Sequence, residues 1–275
     1  MSSLRPISQG DWNLAFLFPE EVTEARERIG IIILPVAPVE WHGPHMAMGC
    51  DCLLAHAFAR RLAQELRCPY FPPLYVGTER ERGAELLDSF GFDKSLFIEG
   101  MDFPANSVGS GYHREEVFAA VVRDTLDILF DRMKFPKVLV VNGHGATNQS
   151  DVLTRLCNEY NGTSAIGKRI MWVYPGFPKS MLGSIAHAGA EECSMLEAMW
   201  PGCVDTSRLP DTGKLKNVDF AIVDGETFDC QPTEDRTVRG IQDPRMHTSP
   251  AKGRKWIEMA AHEVLEAVRT SLLGT

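Results

Sequence analysis

Histidine and carboxylate side chains follow apolar runs at three places in the 275-residue sequence. They are Glu40, His42, His45, Asp51, His144, His187 and Glu192. Imidazole and carboxylate groups together suit Zn²⁺, Mn²⁺ or Fe²⁺ better than Ca²⁺ or Mg²⁺. Two of these histidines together with the three carboxylates already exceed what one tetrahedral site needs. They suffice for two ions that share a bridging carboxylate. These residue types therefore indicate a divalent-metal centre.

The first group of these residues lies in the segment from residue 31 to residue 51, after the apolar run IIILPV. Glu40 and His42 are two residues apart, so in an extended segment their side chains point the same way. Asp51 can reach the same site if the Gly43-Pro44 loop turns back. These residues can also be explained without a metal. A Glu-x-His pair can occur by chance, and Asp51 stands where a helix N-cap is expected.

The second and third groups each follow a later apolar run. His144 lies between two glycines directly after KVLVVN, where small neighbours allow an ion to approach the backbone. His187 and Glu192 follow the next apolar run, and Glu192 falls in the first turn of a predicted helix. A carboxylate there also simply complements the helix dipole. Their joint placement after successive strands nevertheless favours one shared site at the carboxyl edge of a sheet.

The elements that position these groups alternate between strands and helices, which predicts an α/β fold with a mostly parallel sheet covered on both faces. Strands are predicted at residues 30–36, 137–142 and 168–174, with a short one at 220–223. A further strand at residues 70–76 is interrupted by Pro72 and Pro73 and is therefore expected to be short or at an edge of the sheet. Helices are predicted at residues 51–66, 113–133, 150–158, from 191 to before Pro201, and 250–272. Residues 77–112 are predicted to form an irregular excursion over the site. The sequence contains neither a repeat nor a linker, so residues 1–275 are predicted to be one domain.

Composition excludes several classes of function. A net charge of −9 and a pI of about 5.4 argue against a surface for nucleic acid or anionic membranes. The sequence has no apolar stretch of about 18 residues or more and no basic, apolar leader at its start. We therefore expect a cytoplasmic protein with a small-molecule substrate.

Seven cysteines are scattered through the chain, and an odd, dispersed set does not indicate a disulfide framework. Cys50 and Cys52 flank Asp51 and could act as metal thiolates. Their spacing is C-x-C, however, and no second pair lies nearby. The sequence therefore favours buried, reduced cysteines.

The sequence resembles the creatininase (creatinine amidohydrolase) family in three separated motifs. The first is Glu-Trp-His-Gly-Pro-His through Asp51, the second is Asn-Gly-His-Gly through Asn148, and the third is His-Ala-Gly through Ser194. Their order over roughly residues 30–200 makes the resemblance specific. It implies a three-layer α/β/α sandwich with a mostly parallel central sheet, often assembled as hexamers.

The resemblance also implies roles for the site residues. Glu40, His42, Asp51, His144 and Glu192 would ligate two divalent ions, Zn²⁺ or Mn²⁺ with Fe²⁺ as a further candidate, and Asp51 would bridge them. A metal-activated water would attack a carbonyl, and His187 would be the acid/base group. His45, Tyr112 and His113 are candidates for substrate contacts, although Tyr112 and His113 also fit an ordinary polar loop.

The chain departs from the family pattern on the substrate side. Ala146 stands where creatininase itself has a ligand glutamate, the usual histidine is absent from the segment 99–106, and residues 78–96 look longer than their counterpart. C–N hydrolysis of a creatinine-like cyclic amide is the leading expectation. Ring-opening C–C hydrolysis of a cyclic keto-polyol and deformylation are alternatives.

Functions of other classes fit the sequence less well. A non-catalytic, metal-stabilised partner protein predicts a closed coordination sphere without a position for water. Serine-hydrolase and P-loop chemistry lack their motifs, since the chain has no G-x-S-x-G elbow and GHGATNQS lacks the Gly-Lys-Ser/Thr end.

Overall fold

A three-stranded parallel sheet lies at the centre of the computed structural model, which describes residues 11–89, 92–104, 106–163, 169–174, 176–181, 185–209, 216–218, 221–223 and 242–274. Its strands lie in the order β1 (Ile31–Val36), β2 (Lys137–Asn142) and β3 (Arg169–Val173). Ile31 pairs with Lys137, and Lys137 pairs with Arg169. Because the strands are parallel and in register, all three end at the same edge of the sheet.

Eight α-helices lie in the described part of the chain, together with a short antiparallel hairpin. The helices are α1 (Pro19–Arg28), α2 (Cys50–Leu66), α3 (Ala84–Ser89), α4 (Glu115–Asp127), α5 (Thr147–Thr163), α6 (Ala190–Met199), α7 (Pro244–His247) and α8 (Pro250–Val268). Single π-helical turns extend α4 over Ile128–Arg132 and α8 over Arg269–Leu273. The hairpin consists of β4 (Lys216–Val218) and β5 (Ala221–Val223).

The sheet divides the molecule into two apolar cores. Alternate side chains of β1 point to opposite faces, so Ile31 and Ile33 pack with α2, α6 and α8, whereas Ile32 and Leu34 pack with α4 and α5. All four side chains are fully buried, and each contributes about 1.5–3 kcal/mol by leaving water. The predicted three-layer α/β/α arrangement is therefore confirmed.

Two prolines reduce the predicted strand at residues 70–76 to short contacts beside β1, as its interruption by Pro72 and Pro73 indicates. Residues 70–76 do not form a continuous strand and reach β1 only through isolated bridges at Tyr70 and Leu74. Pro72 and Pro73 lie between these bridges and lack the N–H groups that a strand ladder needs. The predicted strand at residues 220–223 is present as β5 from Ala221, and the predicted strand at residues 168–174 is present as β3 from Arg169. Residues 220 and 168 lie outside the described residues.

Helix prediction failed at several helix ends and missed three helices, namely α1 and the short helices α3 and α7. Gly49, not Asp51, is the N-cap of α2, so Asp51 lies in the first helical turn. Helix α5 begins at Thr147 and ends at Thr163, beyond both predicted limits. Helix α1 was not predicted, because its sequence PEEVTEARER buries only Ala25 and so has no apolar stripe.

None of the helices in the described ranges is both long and apolar enough to cross a membrane.

Backbone-to-backbone packing joins α6 and α8. A Cβ atom on Gly253 would lie 2.1 Å from the carbonyl oxygen of Ser194, so only glycine allows this approach. The Ser194 hydroxyl also accepts a hydrogen bond of 2.9 Å from the backbone N–H of Ser249, the N-cap of α8. The start of α8 is thereby fixed against the helix that carries Glu192.

Gly253→Ala is expected to lower the free energy of unfolding by about 1–3 kcal/mol, because the backbone of α6 cannot move aside as a flexible side chain would. The matched control is Gly162→Ala in α5, where a Cβ would meet no atom within 4 Å. That change should instead raise stability by about 0.5–1 kcal/mol. Urea unfolding followed by circular dichroism measures both, and equal midpoints for the two variants would contradict the close contact.

Candidate metal centre

The carboxyl edge of the sheet gathers six polar side chains from separate segments. Five are almost fully buried, with exposed fractions of 0 to 5%, and they are Glu40, His42, Asp51, His144 and Glu192. His187 joins them with 14% of its side chain exposed. The structure therefore brings together the five residues that the family resemblance implies as ligands and the histidine that it implies as the acid/base group.

Asp51 lies between two histidines and directs a different oxygen at each. Its Oδ1 is 3.2 Å from Nε2 of His42, and its Oδ2 is 2.9 Å from Nδ1 of His144. A carboxylate that offers its two oxygens to two separate imidazoles has the geometry of a bridge between two ions.

Glu40 and Glu192 complete a ligand group on each side of Asp51. Oε2 of Glu40 lies 3.4 Å from Nδ1 of His144, and Oε2 of Glu192 lies 3.7 Å from Nε2 of His42. Oε2 of Glu40 also lies 3.8 Å from the His42 nitrogen. Each side of Asp51 therefore presents one imidazole and one further carboxylate.

Close backbone contact sets the distance between Asp51 and His144. A Cβ on Gly143 would lie 2.3 Å from the backbone oxygen of Asp51, so a glycine is required where the chain leaves β2. The Asn142 side chain accepts from the N–H of His144 and donates to its carbonyl, at 3.1 and 2.8 Å. The loop that carries His144 is thus held in place on both sides.

A left-handed turn holds Glu192 in position. Ala188 has a φ of +57°, a conformation that is unfavourable for a residue with a Cβ. Its N–H donates to Oε2 of Glu192 at 2.7 Å, and its carbonyl accepts from Nε2 of His45 at 3.1 Å. His45 therefore stabilises this turn through a hydrogen bond. It is not among the residues that line the cavity described below.

The charges of the centre form a donor set that fits divalent cations. Burial would raise the pKa of Asp51, but His42 and His144 outweigh burial and hold it well below its usual range. Burial raises the pKa of Glu192 to about 7 against the opposing effect of His42. Within the described ranges, Glu40, Asp51 and Glu192 form ion pairs with histidines. Clustered carboxylates and imidazoles of this kind suit Zn²⁺ or Mn²⁺.

An unsatisfied buried nitrogen supports the same fit. Nε2 of His42 is fully enclosed and makes no hydrogen bond to any described residue, since Oδ1 of Asp51 is near but poorly aligned. A buried polar atom without a partner is costly, and a coordinated cation removes that cost.

His187 is held as a single tautomer. Its Nε2 lies 2.8 Å from the carbonyl oxygen of Trp41, which can only accept, so the hydrogen is on Nε2. Its Nδ1 therefore carries a lone pair and faces the centre, 3.8 Å from Oε2 of Glu40. Burial, together with the neighbouring His42, lowers the pKa of His187 to about 3, so the ring is neutral and keeps its lone pair on Nδ1.

Tyr112 lies against Glu40. Its hydroxyl donates to Oε1 of Glu40 and accepts a hydrogen bond of 3.2 Å from the N–H of Met101. Oε2 of Glu40 is thereby left to face His144. Tyr112 and His113 had been predicted as substrate contacts, but neither is among the residues that line the cavity. Their roles toward substrate remain predictions.

A cavity of about 620 Å³ opens on the centre. One wall comes from residues 79–86, in the predicted excursion, and includes Arg82, which is anchored by its Nε to the carbonyl of Gly100 at 2.7 Å. Trp172, within β3, and Tyr174, directly after it, also line the cavity. Sequence reasoning missed these two aromatics, although their position in the last residues of a predicted strand was a usable signal.

Comparisons with known proteins agree on one family. A family model described as creatininase, creatinine amidohydrolase, matches residues 17–268. A creatinine amidohydrolase of Pseudomonas putida is 25% identical over 205 residues, which are 68% of this chain and 72% of that protein.

Solved structures establish the fold independently. A crystal structure of creatinine amidohydrolase has a TM-score of 0.67 at 20% identity, covering 96% of this chain and 98% of that one. A manganese form of creatininase has a TM-score of 0.66 at 19% identity, covering 94% and 98%.

Tyr112→Phe is expected to weaken the binding of divalent ions by about 10- to 100-fold, because Glu40 loses the hydroxyl that fixes its Oε1. Competition with a chromogenic chelator measures the affinity. The matched control is Tyr75→Phe, since Tyr75 is 48% exposed and lies outside the centre. Equal affinities in the two variants would show that Tyr112 does not position Glu40.

Proposed function

The chain belongs to the creatininase family of metal-dependent hydrolases, and we propose that it hydrolyses a C–N bond of a small polar substrate at a two-ion centre. The observation that carries the proposal is the position of Asp51, whose two oxygens face two different histidines at 3.2 and 2.9 Å. A carboxylate shared in this way allows two groups of three ligands, each containing Asp51, to form one bridged centre.

The proposed ligands fall into two groups. Glu40, Asp51 and His144 would hold one ion, and His42, Asp51 and Glu192 would hold the other. Solved creatininases of the same fold include a manganese form and one of Zn-Zn type, so Zn²⁺ and Mn²⁺ are the leading candidates, with Fe²⁺ also compatible with the donor set. When bound, such ions polarise a carbonyl oxygen and lower the pKa of water.

His187 is the proposed acid/base group. Its hydrogen bond to the Trp41 carbonyl leaves Nδ1 free of hydrogen on the side of the centre. As the oxygen of water bonds to the substrate carbon, Nδ1 takes the proton that the water loses. The same proton then passes to the leaving nitrogen as the C–N bond breaks, so the ring returns to its starting state.

A creatinine-like cyclic amide is the leading substrate, because the curated relative is a creatinine amidohydrolase. The cavity of about 620 Å³ is much roomier than one small ring requires, and its charged wall lies in a segment that departs from the family pattern. Formamides and cyclic keto-polyols therefore stay in the proposal as alternatives, the latter through C–C ring opening.

A non-catalytic, metal-stabilised partner protein is the competing class. It requires ligands that are closed off from solvent and substrate. Glu40, Asp51, His144 and Glu192 all border the cavity, which supports catalysis instead. A cytoplasmic homo-oligomer, with a hexamer as the specific expectation, completes the proposal.

Metal-loaded wild-type protein is expected to turn over at least one member of a panel of creatinine, other cyclic amides, formamides and cyclic keto-polyols. Asp51→Ala should lose both turnover and bound metal, because both ligand groups lose their shared carboxylate. Product analysis by mass spectrometry and metal analysis by plasma emission measure these outcomes. Undiminished metal in Asp51→Ala, with no turnover by the wild type, would overturn the two-ion hydrolase.

His187→Ala is expected to lower kcat about 10²- to 10⁴-fold on the substrate so identified while keeping the metal content, because the ring transfers a proton and does not ligate. His262→Ala on the exposed face of α8 is the matched control and should leave kcat unchanged. A loss of metal in His187→Ala would instead make His187 a ligand.

A further inference from the structure

The thiol of Cys50 lies inside the metal centre. Sγ of Cys50, a ring nitrogen of His42 and a carboxylate oxygen of Asp51 all lie within 4.8 Å of one another. Cys50 is fully buried and is the first residue of α2, directly before Asp51. The first turn of α2 therefore delivers two potential ligands to the same place.

The neighbouring imidazole gives an independent indication of a ligand. Nε2 of His42 is buried and makes no hydrogen bond to the described residues, although it points at the region between Cys50, Asp51 and Glu192. An enclosed ring nitrogen in this state is costly unless a cation coordinates it.

The other cysteines nearby are engaged elsewhere. Sγ of Cys52 lies 3.2 and 2.9 Å from the carbonyl oxygens of Ala37 and Pro38. Sγ of Cys193 lies 3.9 Å from the carbonyl of Ala188. Cys50 is therefore distinguished from its C-x-C neighbour by its surroundings and not by burial, which the two share.

We propose that Sγ of Cys50 is a ligand of the ion held by His42, Asp51 and Glu192, an inference that rests on the proposed metal centre. Ligand bonds of about 2.0–2.3 Å place the donor atoms of a tetrahedral site roughly 3.3–3.8 Å apart, so donor atoms that lie within 4.8 Å of one another need only a small inward adjustment. The ion would then have nitrogen, sulfur and oxygen donors. Binding exchanges the thiol proton for the ion and releases that proton to solvent.

The consequence is metal selectivity. Thiolate is a soft ligand that favours Zn²⁺ and Co²⁺ over Mn²⁺, whereas the group of Glu40, Asp51 and His144 offers only nitrogen and oxygen. The two positions of one centre should therefore differ in preference, with zinc held at the Cys50 position and manganese tolerated at the other.

Cobalt titration of the metal-free full-length chain tests the proposal. Wild type should develop a near-ultraviolet thiolate-to-cobalt charge-transfer band beside the visible bands of bound cobalt. Cys50→Ser should lose the charge-transfer band, and Cys52→Ser, the matched control, should keep it. Competition between Zn²⁺ and Mn²⁺ should show the zinc preference falling at least about tenfold in Cys50→Ser, a difference of about 1.4 kcal/mol.

The results that would overturn the proposal can be distinguished from one another. Visible cobalt bands without charge transfer in wild type would refute Cys50 as a ligand and leave the proposed hydrolase intact. Failure of wild type to bind cobalt, zinc or manganese would refute the metal centre itself. If Cys50→Ser does not fold, X-ray absorption of the zinc-loaded wild type decides, because a sulfur neighbour at about 2.3 Å supports the proposal and a shell of only nitrogen and oxygen overturns it.

Discussion

The carboxylate of Asp51, shared between two histidines from the segments that follow β1 and β2, is the contact on which the centre depends. It requires the first turn of α2 to lie against the chain that leaves β2, and Gly143 is the residue that permits this approach. It also requires β1 and β2 to end side by side, which their parallel register ensures. A buried carboxylate interacts strongly because the surrounding medium is less polar than water. The same burial makes the contact costly unless every charge has a partner.

That cost explains the scaffolding around the centre. Three carboxylates are almost completely removed from water, and each is fixed by a neutral or cationic neighbour. Tyr112 holds one oxygen of Glu40, and the N–H of Ala188 holds one oxygen of Glu192. Such partners orient the groups before any ion binds and so reduce the reorganisation that binding requires. The left-handed backbone conformation of Ala188 is strained, and this strain accompanies the hydrogen bond that holds Glu192.

Sequence reasoning located individual strands and the sheet edge that gathers the candidate ligands. It missed individual side-chain contacts between segments that are far apart in the sequence. Strand β2 matches its predicted limits, because its central residues VLVV are apolar and the strand is bounded by Pro136 and Gly143. Gathering of the candidate ligands followed from their position after strands. The attachment of Tyr112 to Glu40 joins residues 72 positions apart, and no spacing rule could anticipate it. The placement of Cys50 depended on where α2 begins, and helix ends are the least certain part of any pattern.

Two different parts of the chain position chemistry and substrate. The sheet edge and the first turns of α2 and α6 hold the candidate ligands, and these elements are rigid because both cores pack on the sheet. The cavity wall at residues 79–86 lies instead outside the central sheet, where it contacts the segment around Glu99 and Gly100 through a β-bridge and the hydrogen bond from Arg82 to the Gly100 carbonyl. A wall of this kind can change its side chains without disturbing the ligands. The fold therefore constrains the reaction more tightly than the substrate, and a shared metal centre is compatible with a cavity shaped for a different molecule.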